Sequence, residues 1–329
     1  MIDSVQALLD AAGQHGLELT ADHDDFDKTG LDFLVVHAKD ASGTCWVVRT
    51  PRRPELLETA RIEARALELL APKLPVAIPE WRIHADDVIA YPRLPGTPAV
   101  TLDGSGAPQW HLDPTAPSEL FLDSFAGALA ALQSVEEASA REAGIPTKPI
   151  EAARIALARS MDETRAALAP SDAIWSRWHR WLENDGLWPD YLTLVHGDLH
   201  PGHMLLDAEG RLSGILDWTE ACVTDPCIDF AMFFGCFGRR PLERLVERFA
   251  MWGGRTWPGL VAHAAERWAS FPALVAEWAL RTDNEAILEH ARAHLASVTQ
   301  NLENLQNQQD LQGQADFADE MPNEPLPID

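Results

Sequence analysis

The chain has 329 residues, of which 46% are hydrophobic, and this is enough for two compact lobes of about 100 to 200 residues each. Its 26 basic and 51 acidic side chains give a formal net charge of −25, which argues against nucleic acid as a partner and favours a cationic small molecule. Many cytosolic proteins are also acidic, and in them the charge only keeps the protein soluble. Neither a signal peptide nor a run near the ~20 apolar residues of a membrane span is present, so we expect a cytoplasmic protein without a membrane or obligate protein partner.

The first 90 residues are predicted to form a small antiparallel sheet with helices. Amphipathic patterns predict a short helix over residues 4–15 and a longer one over residues 55–70. Segments rich in β-branched and aromatic residues predict the strands, which are 31–38, 44–50, 81–84 and 88–91. The first two strands are separated by a short turn containing Gly43 and therefore form a hairpin. Residues 1–90 are thus expected to be an N-terminal lobe.

The segment after this lobe contains three prolines and a glycine, Tyr91-Pro-Arg-Leu-Pro-Gly-Thr-Pro98, which interrupts both helices and strands. We therefore place a hinge at residues 91–98. Residues 99–299 then form a larger and mainly helical lobe, with short extended segments near residues 193–217. Residues 300–329 have acidic side chains, no basic ones and late prolines, and are predicted to be a tail without stable structure.

The most informative motif is His-Gly-Asp-Leu-His-Pro-Gly-His at residues 196–203. A zinc protease site would need two histidines four residues apart on a helix, with a glutamate beside the first. His196 and His200 have that spacing, but Gly197 occupies the position of the glutamate. The glycines and the proline also disfavour a helix, so this sequence argues against the zinc site.

The same letters match the catalytic loop of a phosphoryl-transfer enzyme. Such a loop carries an aspartate that deprotonates the acceptor hydroxyl and a metal ligand five residues later. Asp198 and His203 have this spacing, and Asp217 follows a predicted hairpin, where a second metal ligand is expected. Mg²⁺ prefers oxygen ligands, so a histidine is unusual and could admit Mn²⁺. A role for His203 in the loop alone remains an alternative.

Beyond this loop, the motifs Ile-Leu-Asp-Trp-Thr-Glu-Ala at 215–221 and Asp-Pro-Cys-Ile-Asp at 225–229 resemble the antibiotic phosphotransferase and choline kinase-like group. His203, where aminoglycoside kinases have asparagine, resembles the macrolide 2′-phosphotransferases, as do Gly30-Leu-Asp32 and the segment 47–53. This resemblance covers nearly the whole chain except the tail. It implies an α+β, two-lobed protein kinase-like fold, with a small antiparallel sheet plus helix in the first lobe.

Carried over to this chain, the resemblance makes Asp198 the catalytic base and His203 and Asp217 the Mg²⁺ ligands. It implies that Asp229 supports the catalytic loop through hydrogen bonds, and His196 is expected to shape the same loop. His200 is expected to be exposed near the acceptor, without an assigned role.

The resemblance also implies a basic residue on the third strand that contacts the nucleotide phosphates and pairs with a helix glutamate. Arg49 and Glu63 match these positions, and a guanidinium can bind phosphate in a bidentate fork. A surface role for Arg49 remains an alternative. A glycine-rich phosphate loop is missing, so the segment Asp24–Gly30 is expected to cover the phosphates. Backbone groups of Tyr91 and Arg93 are expected to contact the base, and the resemblance implies GTP rather than ATP.

The acceptor implied by the resemblance is a macrolide antibiotic, which combines a broad apolar ring with a dimethylamino sugar. Such a ligand needs apolar walls and some negative charge. Candidate residues in the helical lobe are Phe230, Phe234, Trp278, Glu220 and Glu277. The expected activity is therefore inactivation of macrolides by phosphorylation of the 2′-hydroxyl. A kinase of another small alcohol, such as an aminoglycoside or a choline-like compound, and a regulatory pseudokinase that binds nucleotide remain alternatives.

Overall fold

A computed structural model describes residues 2–21, 23, 26–27, 32–104 and 106–312, with side chains described to residue 299. The first lobe contains helix α1 and a five-stranded antiparallel sheet in the order β1-β2-β3-β5-β4, with helix α2 between β3 and β4. The bounds of these elements are α1 Val5–Gln14, β1 Thr20–Ala21, β2 Phe33–Lys39, β3 Cys45–Pro51, α2 Leu56–Leu70, β4 Ile83–His84 and β5 Ile89–Pro92. The predicted hairpin and helices of this lobe are confirmed.

The two faces of this sheet pack against different helices. Val36 and Val48 belong to an apolar cluster that includes the buried face of α1. Phe33, Val47 and Tyr91 form a second cluster with Ala60 of α2. Because side chains alternate along a strand, Arg49 lies on the same face as Val47 and is directed toward α2. Strand geometry thus places a charged residue in the space between the sheet and a helix.

The C-terminal lobe contains short strands and most of the helices. Its strands are β6 Thr97–Pro98, β7 Val100–Leu102, β8 Pro108–Trp110, β9 Thr193–Val195, β10 Met204–Leu206, β11 Leu212–Ile215 and β12 Cys222–Thr224. Its helices are α3 Glu119–Gln133, α4 Glu137–Glu142, α5 Ile150–Leu168, α6 Asp172–Glu183, α7 Cys227–Phe237, α8 Arg239–Met251, α9 Leu260–Ala269, α10 Phe271–Thr282 and α11 Glu285–Gln312. The prediction of a small sheet lobe followed by a mainly helical lobe is therefore confirmed.

The predicted hinge connects the two lobes through two sheets. β5 pairs with β3 in the first lobe, while β6 pairs antiparallel with β10 in the second, with Pro98 opposite Leu205. The chain between these strands therefore has both of its ends fixed by backbone pairing.

The predicted tail is in part helical. Helix α11 continues to Gln312, which is inside the segment predicted as a tail from residue 300, and residues 313–329 lie outside the described part.

Two apolar clusters stabilise the helical lobe. The larger one surrounds α3 and α7, and the smaller one joins α5, α6, α10 and α11 through residues that include Trp178 and Trp181. Among the described residues, no helix combines the length and the apolar character that a membrane crossing requires.

Candidate active site

The catalytic loop begins where β9 ends, and a buried carboxylate fixes its backbone. Asp229 on α7 accepts hydrogen bonds from the backbone N–H groups of His196 and Gly197, both at 3.0 Å. Gly197 has a φ of 91°, and a Cβ at this position would lie 2.5 Å from the carbonyl oxygen of Glu220. A side chain is therefore excluded here by both conformation and space. Burial raises the pKa of Asp229 to about 6, although the two backbone donors oppose this rise.

The loop brings its three histidines together around Asp198, and hydrogen bonds determine which ring nitrogen of each carries hydrogen. The Nδ1 atom of His196 accepts from the backbone N–H of Asp198 at 3.2 Å, so the hydrogen is on Nε2, which donates to the carbonyl of Leu216 at 2.8 Å. His196 is fully buried, and burial lowers its pKa to about 4. Both of its nitrogens are used in holding the loop, as the expected structural role requires.

His203 has the opposite arrangement. Its Nδ1 atom lies 2.9 Å from the backbone carbonyl oxygen of Asp198, which can only accept, so Nδ1 carries the hydrogen. In the neutral ring, Nε2 then has a lone pair, and it lies 3.9 Å from the nearer carboxylate oxygen of Asp217. Such a nitrogen, held by a second hydrogen bond on the same ring, has the arrangement usual for metal-binding histidines.

Asp217 follows β11 and adopts an uncommon backbone conformation, with a φ of 56°. One of its carboxylate oxygens accepts hydrogen bonds from the hydroxyl of Thr219 at 2.6 Å and from the Thr219 N–H at 3.3 Å. Burial alone would raise the pKa of Asp217, but His203, Arg49 and Thr219 lower it to about 2. The ionised carboxylate suits Mg²⁺ or Mn²⁺, and the imidazole nitrogen could fill one further position, although it is an unusual ligand for Mg²⁺.

His200 differs from the sequence-based expectation. It is 9% exposed rather than solvent-facing, and it caps the 3-10 turn Pro201–His203. Its Nδ1 atom accepts from the Gly202 N–H at 3.1 Å, and its Nε2 atom lies 3.9 Å from a carboxylate oxygen of Asp198. Burial, and then the neighbouring His203, lower the pKa of His200 well below its ordinary value.

The carboxylate of Asp198 lies between these groups and is 42% exposed. Within the described part of the chain, it accepts no hydrogen bond. Possible ligand atoms of Asp198, His200 and His203 all lie within 4.8 Å of one another. Asp198 thus has an accessible carboxylate, while its backbone N–H and carbonyl are held by His196 and His203.

The first lobe contributes a buried ion pair. The guanidinium of Arg49 donates to one carboxylate oxygen of Glu63 at 2.5 Å, and the other oxygen accepts from the Trp218 N–H at 3.4 Å. Burial raises the pKa of Glu63 to about 7, while the cation of Arg49 opposes this rise. Glu63 therefore connects Arg49 directly to the backbone next to Asp217. Arg49 and Glu63 thus form the ion pair that the sequence analysis expected.

Aromatic rings enclose the guanidinium of Arg49. Its central carbon lies 4.3 Å from the ring centroid of Phe33, 4.8 Å from that of Trp81 and 5.8 Å from that of Tyr91. Such contacts orient a cation and partly replace its lost hydration. Arg49 is 5% exposed, so the alternative of a surface arginine is wrong.

The structure limits which backbone group of Arg93 could contact a base. The backbone N–H of Arg93 donates to the carbonyl of Cys45 at 2.8 Å, because pairing between β3 and β5 extends one residue past Pro92. This N–H is therefore not available to a nucleotide base. Phe26 and Asp27 are the described residues of the predicted phosphate-covering segment 24–30, and the rest of it lies outside the described residues.

The predicted acceptor residues do not form a single group. Glu220 is exposed beside the catalytic loop, and partial desolvation, with Asp198 and Asp217 adding to it, raises its pKa. Phe230 and Phe234 are each 3% exposed and pack in the core. They would therefore support the wall of an acceptor cleft without contacting the acceptor themselves.

Trp278 and Glu277 lie on α10 and are partly buried. The carboxylate of Glu277 accepts hydrogen bonds from Arg159 at 3.1 Å and from Ser160. Its charge is therefore already paired within the helical lobe. Of the two predicted acidic residues, Glu220 is the one that lies at the catalytic loop.

Sequence reasoning missed the contributions of His200, Thr219 and Trp218. The contact of Trp218 uses a backbone N–H, which leaves no signature in residue type. Thr219 follows Asp217 at the two-residue spacing at which a threonine can hydrogen bond an aspartate, and this signal could have been used. Nothing in the sequence distinguishes the hydrogen bonds of His200 from those of the other two histidines.

Comparisons with known proteins bear on the family and the fold of this chain. Residues 26–263 match the model of a phosphotransferase enzyme family, abbreviated APH. The uncharacterized protein YcbJ of Bacillus subtilis (strain 168) is 39% identical over 295 residues, which cover 89% of this chain and 95% of that protein.

Solved structures extend the comparison. The apoenzyme of macrolide 2′-phosphotransferase MphH from Brachybacterium faecium is 37% identical with a TM-score of 0.80, over 88% of this chain and 98% of that one. A macrolide 2′-phosphotransferase type I is 38% identical with a TM-score of 0.81, over 89% and 99% of the two chains. A GDP and kanamycin complex of APH(2")-IIIa, at 17% identity and a TM-score of 0.69 over 86% and 94% of the two chains, shares the fold. The chain belongs to the phosphotransferase enzyme family and has its two-lobed, kinase-like fold.

Proposed function

We propose that this phosphotransferase transfers the γ-phosphoryl group of GTP to the 2′-hydroxyl of the amino sugar of a macrolide antibiotic. The observation that carries the proposal is the similarity to two macrolide 2′-phosphotransferases, at 37% and 38% identity over nearly their whole length. The positions of Asp198, His203 and Asp217 support the chemistry, because they put an accessible base beside two potential metal ligands. Localisation in the cytoplasm, where nucleoside triphosphates are available, fits this reaction.

In the proposed reaction, the oxygen of the acceptor hydroxyl attacks the γ-phosphorus while a carboxylate oxygen of Asp198 accepts the proton of that hydroxyl. The bond between the γ-phosphorus and the β–γ bridging oxygen breaks, and the nucleoside diphosphate leaves. His203 and Asp217 would hold Mg²⁺, which when bound neutralises charge on the phosphates. Arg49 would contact phosphate oxygens while Glu63 keeps it aligned, and Tyr91 would border the base.

Charge near the loop supports a cationic acceptor. Glu220 is exposed beside Asp198, and its carboxylate suits the dimethylammonium group of a macrolide sugar. Because Glu277 is paired with Arg159 and Ser160, we assign it a supporting role in the helical lobe. Phosphorylation of the sugar would add negative charge to the drug and thereby inactivate it.

A direct test is phosphate transfer by the purified full chain to several macrolides, several aminoglycosides and choline, with GTP or ATP as donor. We expect macrolide products with GTP, identified by mass spectrometry and located at the 2′-hydroxyl by NMR. Products with aminoglycosides or choline alone would identify a kinase of another small alcohol. Absence of any phosphorylated product, with nucleotide still bound, would favour a regulatory pseudokinase.

A further inference from the structure

Hydrogen bonds leave His200 with one unused N–H, and it is directed into the active site. Nδ1 of His200 accepts from the Gly202 N–H at 3.1 Å, so this nitrogen has no hydrogen and Nε2 carries one. Within the described part of the chain, this Nε2–H makes no hydrogen bond, and a carboxylate oxygen of Asp198 lies 3.9 Å from the nitrogen. This N–H is therefore unpaired within the described part of the protein, and a partner that reaches it in the working state would form a new hydrogen bond.

Nearby contacts restrict where this donor can go. The side chain of His200 is 11% exposed, and its ring contacts that of His203 at an angle of 41°, with centroids 3.9 Å apart. The carboxylate of Asp198 is the more mobile partner, because it is 42% exposed and its backbone alone is held. A small rotation of the Asp198 side chain would close the 3.9 Å gap to hydrogen-bonding distance, and such bonds are often long in ligand-free enzymes.

We infer that His200 is a positioning residue for the proposed base Asp198, since its Nε2–H holds one carboxylate oxygen while the other faces the acceptor hydroxyl. This inference rests on the proposed role of Asp198 in phosphoryl transfer. The three histidines then have different tasks: His196 fixes the loop, His203 offers a lone pair for metal, and His200 orients the base.

Two other roles for His200 make different predictions. As a metal ligand it would need a nitrogen lone pair, but the lone pair on Nδ1 accepts from Gly202 and Nε2 carries hydrogen. As a cap of the turn alone, it would need only the bond between Nδ1 and the Gly202 N–H. Substitutions can test the roles of the two nitrogens separately. Asparagine places an amide oxygen near the position of Nδ1, whereas glutamine places an amide N–H₂ near that of Nε2.

The test compares His200→Asn with His200→Gln in the full chain. Asparagine can still accept from the backbone N–H two residues later, so His200→Asn keeps the cap and removes the donor. We expect it to lower kcat about 10- to 100-fold, with KM for nucleotide and acceptor changed less than about threefold. We expect His200→Gln to retain kcat within about threefold of the wild type and to lower the thermal unfolding midpoint instead.

Wild-type kcat in His200→Asn, together with low kcat in His200→Gln, would overturn the inference in favour of a cap. Restoration of His200→Asn to full activity at high Mg²⁺ would overturn it in favour of a metal ligand. A double-mutant cycle with Asp198→Asn adds a further test, because a residue that acts through Asp198 should cause little further loss once that base is removed. Equal losses in both backgrounds would show that His200 acts elsewhere.

Nucleotide hydrolysis without acceptor separates this inference from the proposed function. In that reaction Asp198 would act on water. The two His200 variants should therefore have the same order of kcat in hydrolysis as in phosphate transfer. If the wild type phosphorylates no macrolide but this ranking holds in hydrolysis, the macrolide assignment fails and the positioning role stands. If macrolides are phosphorylated and the ranking is reversed, the positioning role fails alone.

Discussion

Histidines meet aspartates in two regions of this protein, and the regions differ in how their hydrogen-bonding groups are used. In the helical lobe, the fully buried carboxylate of Asp225 accepts from His263 at 2.9 Å, from Arg267 at 2.8 Å and from the Cys227 N–H at 2.9 Å. The other nitrogen of His263 accepts from the indole of Trp181 at 2.9 Å. In the catalytic loop, by contrast, His200 has an unused N–H, His203 an unused lone pair and Asp198 an unpaired carboxylate.

The contrast separates a structural use of these residue types from the functional use proposed for them in the catalytic loop. A buried polar group costs free energy unless it is paired, so the Asp225 network stabilises the fold by satisfying all its members. The catalytic loop instead keeps unpaired groups at a partly exposed position, where substrate and metal can pair with them. Four substitutions test this difference, and they are given from the largest expected effect to the smallest.

Asp198→Asn should reduce phosphate transfer about 10³-fold or more, because the amide cannot accept the hydroxyl proton. Nucleotide affinity, measured by calorimetry, should change little, and so should the unfolding free energy. Transfer at the wild-type rate would contradict the role of Asp198 as the base.

Asp225→Asn should lower the free energy of unfolding by about 3 kcal/mol, since it leaves the partly buried Arg267 without its carboxylate partner. Urea unfolding would measure this loss, and kcat of the folded enzyme should stay close to that of the wild type. A large loss of kcat with unchanged stability would contradict the proposed division between the regions.

The stabilisation by Asp225 should also depend on pH. Burial alone would raise the pKa of Asp225, but Arg267 and His263 lower it below its usual value. Stability from a lowered carboxylate pKa is present above the unfolded-state pKa of about 4 and is lost as pH falls through the folded-state value. The difference between wild type and Asp225→Asn should therefore shrink in acid below about pH 4, and a constant difference would show that ionisation of Asp225 contributes nothing.

If His203 is the metal ligand proposed above, His203→Ala should raise the Mg²⁺ concentration for half-maximal activity on the order of 10- to 100-fold. Asparagine stands at this position in aminoglycoside kinases, so His203→Asn is the matched control and should restore much of the Mg²⁺ affinity. A metal titration that is the same for the alanine variant and the wild type would limit His203 to holding the loop.

Arg49→Lys should raise KM for the nucleotide about tenfold, because an ammonium cannot pair with Glu63 and phosphate through a planar fork. Arg61→Lys on the exposed side of α2 is the control and should leave KM unchanged. Equal effects of the two substitutions would mean that general loss of guanidinium contacts, rather than the site of Arg49, determines nucleotide affinity.

Several features of the fold and site could be predicted from the sequence alone. Segments rich in β-branched and aromatic residues predicted the hairpin of β2 and β3, and an apolar stripe predicted α2. The spacing of Asp198, His203 and Asp217 predicted a phosphoryl-transfer site because loop length fixes which side chains meet. These signals are local, and each depends on residues close together in the chain.

Only the tertiary structure decided the contacts between distant segments. It brought Glu63 to the Trp218 backbone, engaged the Arg93 N–H with Cys45, and buried Phe230 and Phe234 in the core. It also gave each histidine of the catalytic loop its own hydrogen-bond partner, including the Leu216 carbonyl for His196. The physical reason is that a ring nitrogen becomes a donor or an acceptor according to the group folded against it, and a repeated residue type does not encode that choice.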